Sequence, residues 1–106
     1  MNQTIIEEYL IGLDDVTEEE LPDEKVVLFK WDDKLVAVLE LSDPLKISLR
    51  CELELATLLR EKYETVMPGQ KLNHKHWNTI VLTGQIEWPE IQGFIRLSYD
   101  LTRDQL

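Results

Sequence analysis

Three short apolar segments follow one another in the first half of the chain, and they constrain the fold more than any other feature. They cover residues 25–31, 34–41 and 45–50 and are rich in Val, Leu and aromatic side chains. Turn-forming residues separate them, at positions 32–33 and 42–44. Segments of this length joined by turns this short predict three consecutive strands connected as hairpins.

The third segment shows the clearest alternation of side chains. Its odd positions from 45 to 49 are Leu, Ile and Leu, and its even positions from 46 to 50 are Lys, Ser and Arg. Successive side chains of a strand point to opposite faces of the sheet. The pattern is therefore typical of a sheet covered on one side only.

Helical periodicity marks three other parts of the chain. Apolar side chains recur at helical spacing in residues 3–13, 52–64 and 88–102. The first of these helices is expected to begin with a capping box formed by Thr4 and Glu7. The last has Pro89 near its start, where the missing backbone N–H is not needed.

The remaining segments are assigned from turn formers and charge. The acidic residues 14–24 include a proline and predict an exposed loop. Residues 67–69, Met-Pro-Gly, end the middle helical pattern, and strand character returns at residues 76–83. A short strand is expected before it, around residues 70–73.

The resulting order, α-β-β-β-α-β-β-α, predicts an α+β fold. We expect a two-layer sandwich in which helices cover one face of a mostly antiparallel sheet. The 106 residues suffice for a single domain. No apolar run approaches the ~20 residues of a membrane span, no leader is recognisable, and Cys51 has no partner for an internal disulfide. A cytoplasmic monomer without a membrane association is therefore expected.

The net charge of −10 is distributed unevenly along the chain. Residues 1–24 carry nine acidic side chains and no Lys or Arg, whereas residues 25–80 carry nine basic and eight acidic side chains. Residues 66–80 contain no acidic side chain. The average charge argues against a polyanionic partner, but a locally positive face is compatible with the sequence.

Residues 70–79 form the most distinctive motif, because they collect both histidines, two lysines, two asparagines and a tryptophan. After the Pro-Gly pair at 68–69, Asn73 and Lys75 lead into His-Trp-Asn-Thr at 76–79, which resembles the core motif of the MmcQ/YjbR-like family. Residues 49–51, 59–63 and 98–101 resemble further landmarks of that family in the same order. The resemblance covers nearly the whole chain.

This resemblance implies both a fold and a function. The fold is an α-β(3)-α-β(2)-α arrangement, comparable with CyaY-like and secretion-chaperone-like domains. The function is DNA binding by a non-enzymatic bacterial protein through a double-wing arrangement of strands and loops. Lysines would contact phosphates, and asparagines would read base edges. The predicted nucleic-acid-binding residues are Lys46, Arg50, Lys71, Asn73, His74, Lys75, His76 and Asn78.

Alternative interpretations remain for the same residues. The 70–78 segment also fits a constrained, solvated loop, in which Trp77 packs in the core and His76 holds the loop by hydrogen bonding. A protein-interaction or chaperone-like module would use the acidic N-terminal third to bind a basic protein segment. A pocket containing His76 and Asn78 would instead suit a small molecule.

Catalytic and metal chemistry have no motif in this sequence. There is no Gly-rich phosphate loop and no nucleophile elbow. The soft metal ligands His74, His76 and Cys51 are fewer than the four of a structural zinc site. We therefore expect neither a cofactor nor a metal, and Cys51 is interpreted as a small buried side chain.

Overall fold

The computed structural model describes residues 2–69 and 72–104, and within them the chain forms three helices and six strands. All six strands belong to one sheet with the order β1-β2-β3-β4-β6-β5, and every neighbouring pair is antiparallel. The elements are α1 (Gln3–Ile11), β1 (Val16–Leu21), β2 (Val26–Trp31), β3 (Lys34–Glu40), β4 (Lys46–Arg50), α2 (Leu53–Lys62), β5 (Val66–Pro68), β6 (Trp77–Val81) and α3 (Trp88–Arg103).

The main core lies between this sheet and the helices. Val27, Leu39, Ile47 and Ile80 are paired from strand to strand and form a buried row across β2, β3, β4 and β6. Helix α3 packs on β2, β3 and β4, α2 packs on β5 and β6, and α1 packs on β1. The predicted α+β sandwich is confirmed. Among the described helices, none combines the length and the apolar character needed to cross a membrane.

The acidic segment expected to be a loop is instead the edge strand β1. It pairs with β2 from Val16, opposite Trp31, to Leu21, opposite Val26. The backbone ladder holds this strand, and its four central side chains remain exposed. Charged residues are well tolerated on an edge strand, which has a neighbour on one side only. The prediction was wrong because it required apolar alternation, and the observed order is α-β(4)-α-β(2)-α.

The short strand expected around residues 70–73 also lies elsewhere. Strand β5 spans Val66–Pro68, and Val66 is buried opposite Ile80. Pro68 is compatible with this position because β5 is the other edge of the sheet. Of the expected segment, residues 70–71 lie outside the described residues, and the following two residues are not in a strand.

The start of α1 and the turn between β2 and β3 were both predicted from local sequence signals. Helix α1 begins at residue 3 as predicted, but its cap is Asn2 and not Thr4: Asn2 Oδ1 accepts a hydrogen bond from the backbone N of Ile5 at 3.0 Å. Asp32 and Asp33 join β2 to β3 with φ values of 49° and 62°. Two consecutive residues in the left-handed region are typical of the two-residue hairpin turn that was predicted here.

Candidate nucleic-acid interface

The sheet face turned away from the helices, here called the open face, carries part of the predicted interface. Arg50 lies opposite Trp77 across β4 and β6, and Ser48 lies opposite Thr79. The Arg50 guanidinium lies over the Trp77 ring, 4.7 Å from its centroid. Lys46 lies on the same face of β4 and is partly exposed.

Asn73, His74, Lys75 and His76 lie together in the 72–76 loop, which leads into β6, and all four are exposed. Asn73 Oδ1 accepts a hydrogen bond from the backbone N of Lys75 at 3.0 Å, and the backbone N of His76 donates to the carbonyl of Asn73 at 3.1 Å. The loop therefore presents its side chains from a hydrogen-bonded turn. Lys71, which was predicted with this group, lies outside the described residues.

Arg50 is engaged inside the fold rather than free at the surface. Its Nε donates to the carbonyl of Leu35 at 2.9 Å, and its backbone N donates to Ser98 Oγ at 2.8 Å. Burial lowers the pKa of Arg50, yet a guanidinium remains protonated at neutral pH. Arg50 thus contributes positive charge to the open face, while its Nε links β4 to β3.

Asn78 does not belong to the exposed group. It follows Trp77 in β6 and therefore points to the opposite face of the sheet, towards α2. Its side chain is 3% exposed; Nδ2 donates to the carbonyl of Ala56 at 3.2 Å, and Oδ1 accepts from Arg60 Nε at 2.6 Å. The expectation that Asn78 reads a base edge conflicts with this placement, because both sides of its amide are occupied within the protein.

Arg60 is the residue that the sequence analysis missed. Besides Asn78, it donates from Nη2 to the carbonyl of His74 and to the carbonyl of Trp77, the latter at 3.2 Å. One side chain of α2 thereby connects the 72–76 loop to β6. The available signal was its place in the family-like segment 59–63, but helical periodicity alone assigns such a position to the solvent side.

The acidic strand β1 and the strand β6, into which the 72–76 loop leads, lie towards opposite edges of the sheet. Strand β1 is separated from β6 by three intervening strands. At the usual spacing of neighbouring strands, this places the two about 19 Å apart. That distance is about two Debye lengths at an ionic strength of ~0.1 M. The glutamates of β1 are therefore largely screened from a ligand at the start of β6. Leu72, at the other end of the loop, lines a groove together with Glu24 and Glu40.

Other chemistry finds little support among the described residues. No group of three or more His, Cys, Asp or Glu side chains there is arranged to hold a metal ion. The Cys51 thiol is buried; burial and the charge of Glu52 raise its pKa, which disfavours the reactive thiolate. His76 lines a cavity with Cys51 and Leu53, whereas Asn78 lines a different one on the helical side. The two side chains proposed for a shared small-molecule pocket are therefore not brought together.

Fold and loop together define a small α+β domain with helices on one face of a six-stranded antiparallel sheet. The chain belongs to the YjbR family, whose model matches residues 11–101. It is similar to the uncharacterized protein YjbR of Escherichia coli, strains K12 and O157:H7, with 35% identity over 78 residues. The match covers 73% of this chain and 66% of each relative, so the chain spans slightly less than two thirds of their length.

Solved structures show the same fold. A crystal structure of a Deinococcus radiodurans protein with a DUF419 domain matches with a TM-score of 0.89 and 26% identity, over 94% of this chain and 77% of that chain. A Pseudomonas syringae structural-genomics target matches in its crystal structure with a TM-score of 0.83 and 26% identity, over 97% of this chain and 100% of that one. The solution structure of the same target matches with a TM-score of 0.78 and 25% identity, over 97% of this chain and 94% of that one.

Proposed function

We propose that this chain is a non-enzymatic DNA-binding protein that contacts the phosphate backbone through the 72–76 loop and the neighbouring basic side chains. The observation that carries the proposal is the separation of charge across the sheet, with the acidic β1 and the 72–76 loop at distant strands. Without that separation, a net charge of −10 would oppose any encounter with DNA. With it, a phosphate at the loop is exposed mainly to local charges.

The loop suits backbone contacts better than base reading. Lys75 is exposed and provides an ammonium group, and Asn73 uses its side-chain oxygen to form the turn. Lys46 and Arg50 add charge from β4. Contacts of this kind position a protein on DNA without specifying sequence. Because few cations take part, the expected affinity is low and its salt dependence shallow, with a slope of about −2 to −3 in a plot of log K against log salt.

A titration of labelled duplex DNA tests the proposal. Fluorescence anisotropy is measured at about 50 mM and about 200 mM salt for the wild type and for Lys46→Ala/Lys75→Ala. The matched control, Lys62→Ala/Arg96→Ala, removes the same charge from α2 and α3. We expect the first variant to bind DNA more weakly than the wild type, and its slope of log K against log salt to be shallower by about two units. The control is expected to bind like the wild type. Equal losses in both variants, or no binding by the wild type at low salt, would reject it.

A second candidate function is binding of a basic protein segment at β1. The supporting observation is that three consecutive glutamates, residues 18–20, lie exposed on an edge strand. An edge strand offers backbone groups to an added strand, and like charges disfavour a second copy of β1 in that place. Glu18→Gln/Glu20→Gln is therefore expected to weaken binding of a lysine-rich peptide and to leave DNA binding unchanged or stronger.

A further inference from the structure

Strands β2 and β3 carry apolar side chains on both faces, although the described helices pack on only one of them. Val27 of β2 and Leu39 of β3 are buried towards the helices. Their neighbours Leu28 and Val38 are cross-strand partners on the open face, and both are partly exposed. A sheet with one solvated face normally alternates apolar and polar residues, and continuous apolar runs are typical of strands covered on both sides. The open face of β2 and β3 therefore has the composition of a buried surface, and none of the described helices or strands covers it.

This surface is concave. A groove of about 690 Å³ lies over β2 and β3, in the size range of ligand-binding clefts. Val26, Leu28, Leu35 and Val38 contribute apolar lining from the two strands. Leu72, from the start of the 72–76 loop, lines it as well and is itself partly exposed. The groove is thus lined both by the apolar surface of the sheet and by the first residue of the 72–76 loop.

The rim of the groove is acidic. Among the described lining residues, Glu24, Glu40 and Asp43 carry carboxylates and Lys25 carries an ammonium group. Strand β1, which is paired with β2, adds further negative charge on the adjacent side. Carboxylates gathered around an apolar cleft attract cations and raise their local concentration.

We infer that this groove is a docking site for a segment of another protein that carries apolar side chains interspersed with Lys or Arg. The apolar side chains would cover the floor, and the basic ones would meet the rim. A second copy of this chain fits poorly, because it would bring the same carboxylates and another net charge of −10. DNA is disfavoured by the same carboxylates. The groove shares Leu72 with the 72–76 loop, but the inference uses none of the cations of the proposed DNA contact, Lys46, Arg50 and Lys75.

A peptide titration tests the inference. The probe is a short fluorescent peptide of alternating Leu and Lys, compared with a Ser and Lys peptide of equal charge and with a Leu and Glu peptide. We expect the Leu and Lys peptide to bind about tenfold more tightly than the Ser and Lys peptide, because only the former buries apolar surface. The Leu and Glu peptide is expected not to bind, since its charge is repelled by the rim.

Variants locate the binding. Leu28→Gln is expected to lower the affinity for the Leu and Lys peptide about tenfold. The control Leu58→Gln, at a residue of α2 that is 57% exposed, is expected to leave binding unchanged. The rim variant Glu40→Gln/Asp43→Asn keeps the floor intact and is expected to weaken binding with a reduced salt dependence, so the test does not depend on the folding of Leu28→Gln.

Several outcomes would overturn the inference. Equal affinity for the Ser and Lys peptide would assign the binding to charge alone, and equal affinity for the Leu and Glu peptide would remove the role of the rim. Unchanged affinity in a folded Leu28→Gln would place the binding elsewhere. A wild-type dimer in sedimentation analysis that Leu28→Gln converts to a monomer would identify the groove as a self-interface. None of these outcomes bears on the DNA titration, so the two proposals fail separately.

Discussion

Arg60 Nε donates a hydrogen bond of 2.6 Å to Oδ1 of Asn78, and this contact links helix α2 to strand β6 beneath it. The same guanidinium donates to two backbone carbonyls at and before the start of β6. The Asn-Thr half of the family-like motif is therefore buried in the fold, whereas the residues from 73 to 76 reach the surface. One short motif combines a structural part with an exposed part.

Replacing Asn78 with Ala is expected to destabilise the protein by about 2 kcal/mol, because it leaves buried partners without hydrogen bonds. The measurement is urea unfolding followed by circular dichroism. Glu61→Ala, at an exposed position on α2, is the control and is expected to change little. A double-mutant cycle of Arg60→Ala and Asn78→Ala gives the coupling between them, and strictly additive effects would contradict the direct interaction.

Gly69→Ala is expected to destabilise the fold, because a Cβ at this position would lie 2.7 Å from Trp77 Cβ. Both atoms are close to the backbone, so the contact is relieved only by moving the chain, at a cost of about 1–3 kcal/mol. Gly93→Ala in α3 provides the matched control. A Cβ there meets nothing within 4 Å, and alanine favours a helix by about 1 kcal/mol over glycine.

Unfolding midpoints of the two glycine variants are expected to move in opposite directions from the wild type. The comparison separates the crowding at Gly69 from any general effect of adding a methyl group. A stabilised Gly69→Ala would show that the close approach to Trp77 is not required.

Ser98→Ala is expected to cost about 2–3 kcal/mol, because this buried hydroxyl has two backbone partners. It donates to the carbonyl of Val36 at 2.6 Å and accepts from the backbone N of Arg50 at 2.8 Å. Strand β3 shifts its register with β2 in this region, so α3 supplies hydrogen bonds that the strands do not. Thermal unfolding measures the effect, and Thr57→Ala, an exposed hydroxyl on α2, is the control. Equal losses of stability in both variants would contradict the role of Ser98 in linking α3 to β3 and β4.

Cys51 is expected to react slowly with a thiol reagent in the folded protein. Burial and the neighbouring Glu52 raise its pKa, so at any pH below that value the thiolate fraction is smaller than in an unfolded chain. The stability linked to this raised pKa is fully present below the pKa of the thiol in the unfolded chain. It is lost as the pH rises through the pKa of the thiol in the folded protein. The reactivity of the thiol is measured as the labelling rate across the alkaline pH range, with the urea-unfolded chain as the reference. Glu52→Gln removes one cause of the shift and is expected to accelerate labelling; an unchanged rate would contradict the role of Glu52.

Local patterns in the sequence were sufficient for most of the secondary structure. The apolar segments between residues 25 and 50 became β2, β3 and β4, and the turn at residues 32–33 formed as expected. Periodicity also located α2 and α3, including the proline near the start of α3. These elements are predictable because each buries a recognisable apolar face, and a face is visible in the spacing of residues.

Strand β1 and the role of Arg60 needed the folded chain. Three of the six residues of β1 are glutamates and the strand carries no apolar alternation, because an edge strand is held by backbone hydrogen bonds to one neighbour. Arg60 acquires its partners only when α2 lies over β6, and those partners are 14 to 18 positions away in the chain.

The sequence by itself determined the fold class, the family and a distinctive polar segment at residues 70–78, since each depends on local patterning or on a contiguous motif. The tertiary structure decided which members of that motif are accessible, because the alternation of β6 turns Asn78 inwards. It also decided that the acidic strand and the 72–76 loop are separated, and that the second apolar face of β2 and β3 lines a groove. Those relations depend on strand order, which arises from pairings between residues distant in the chain.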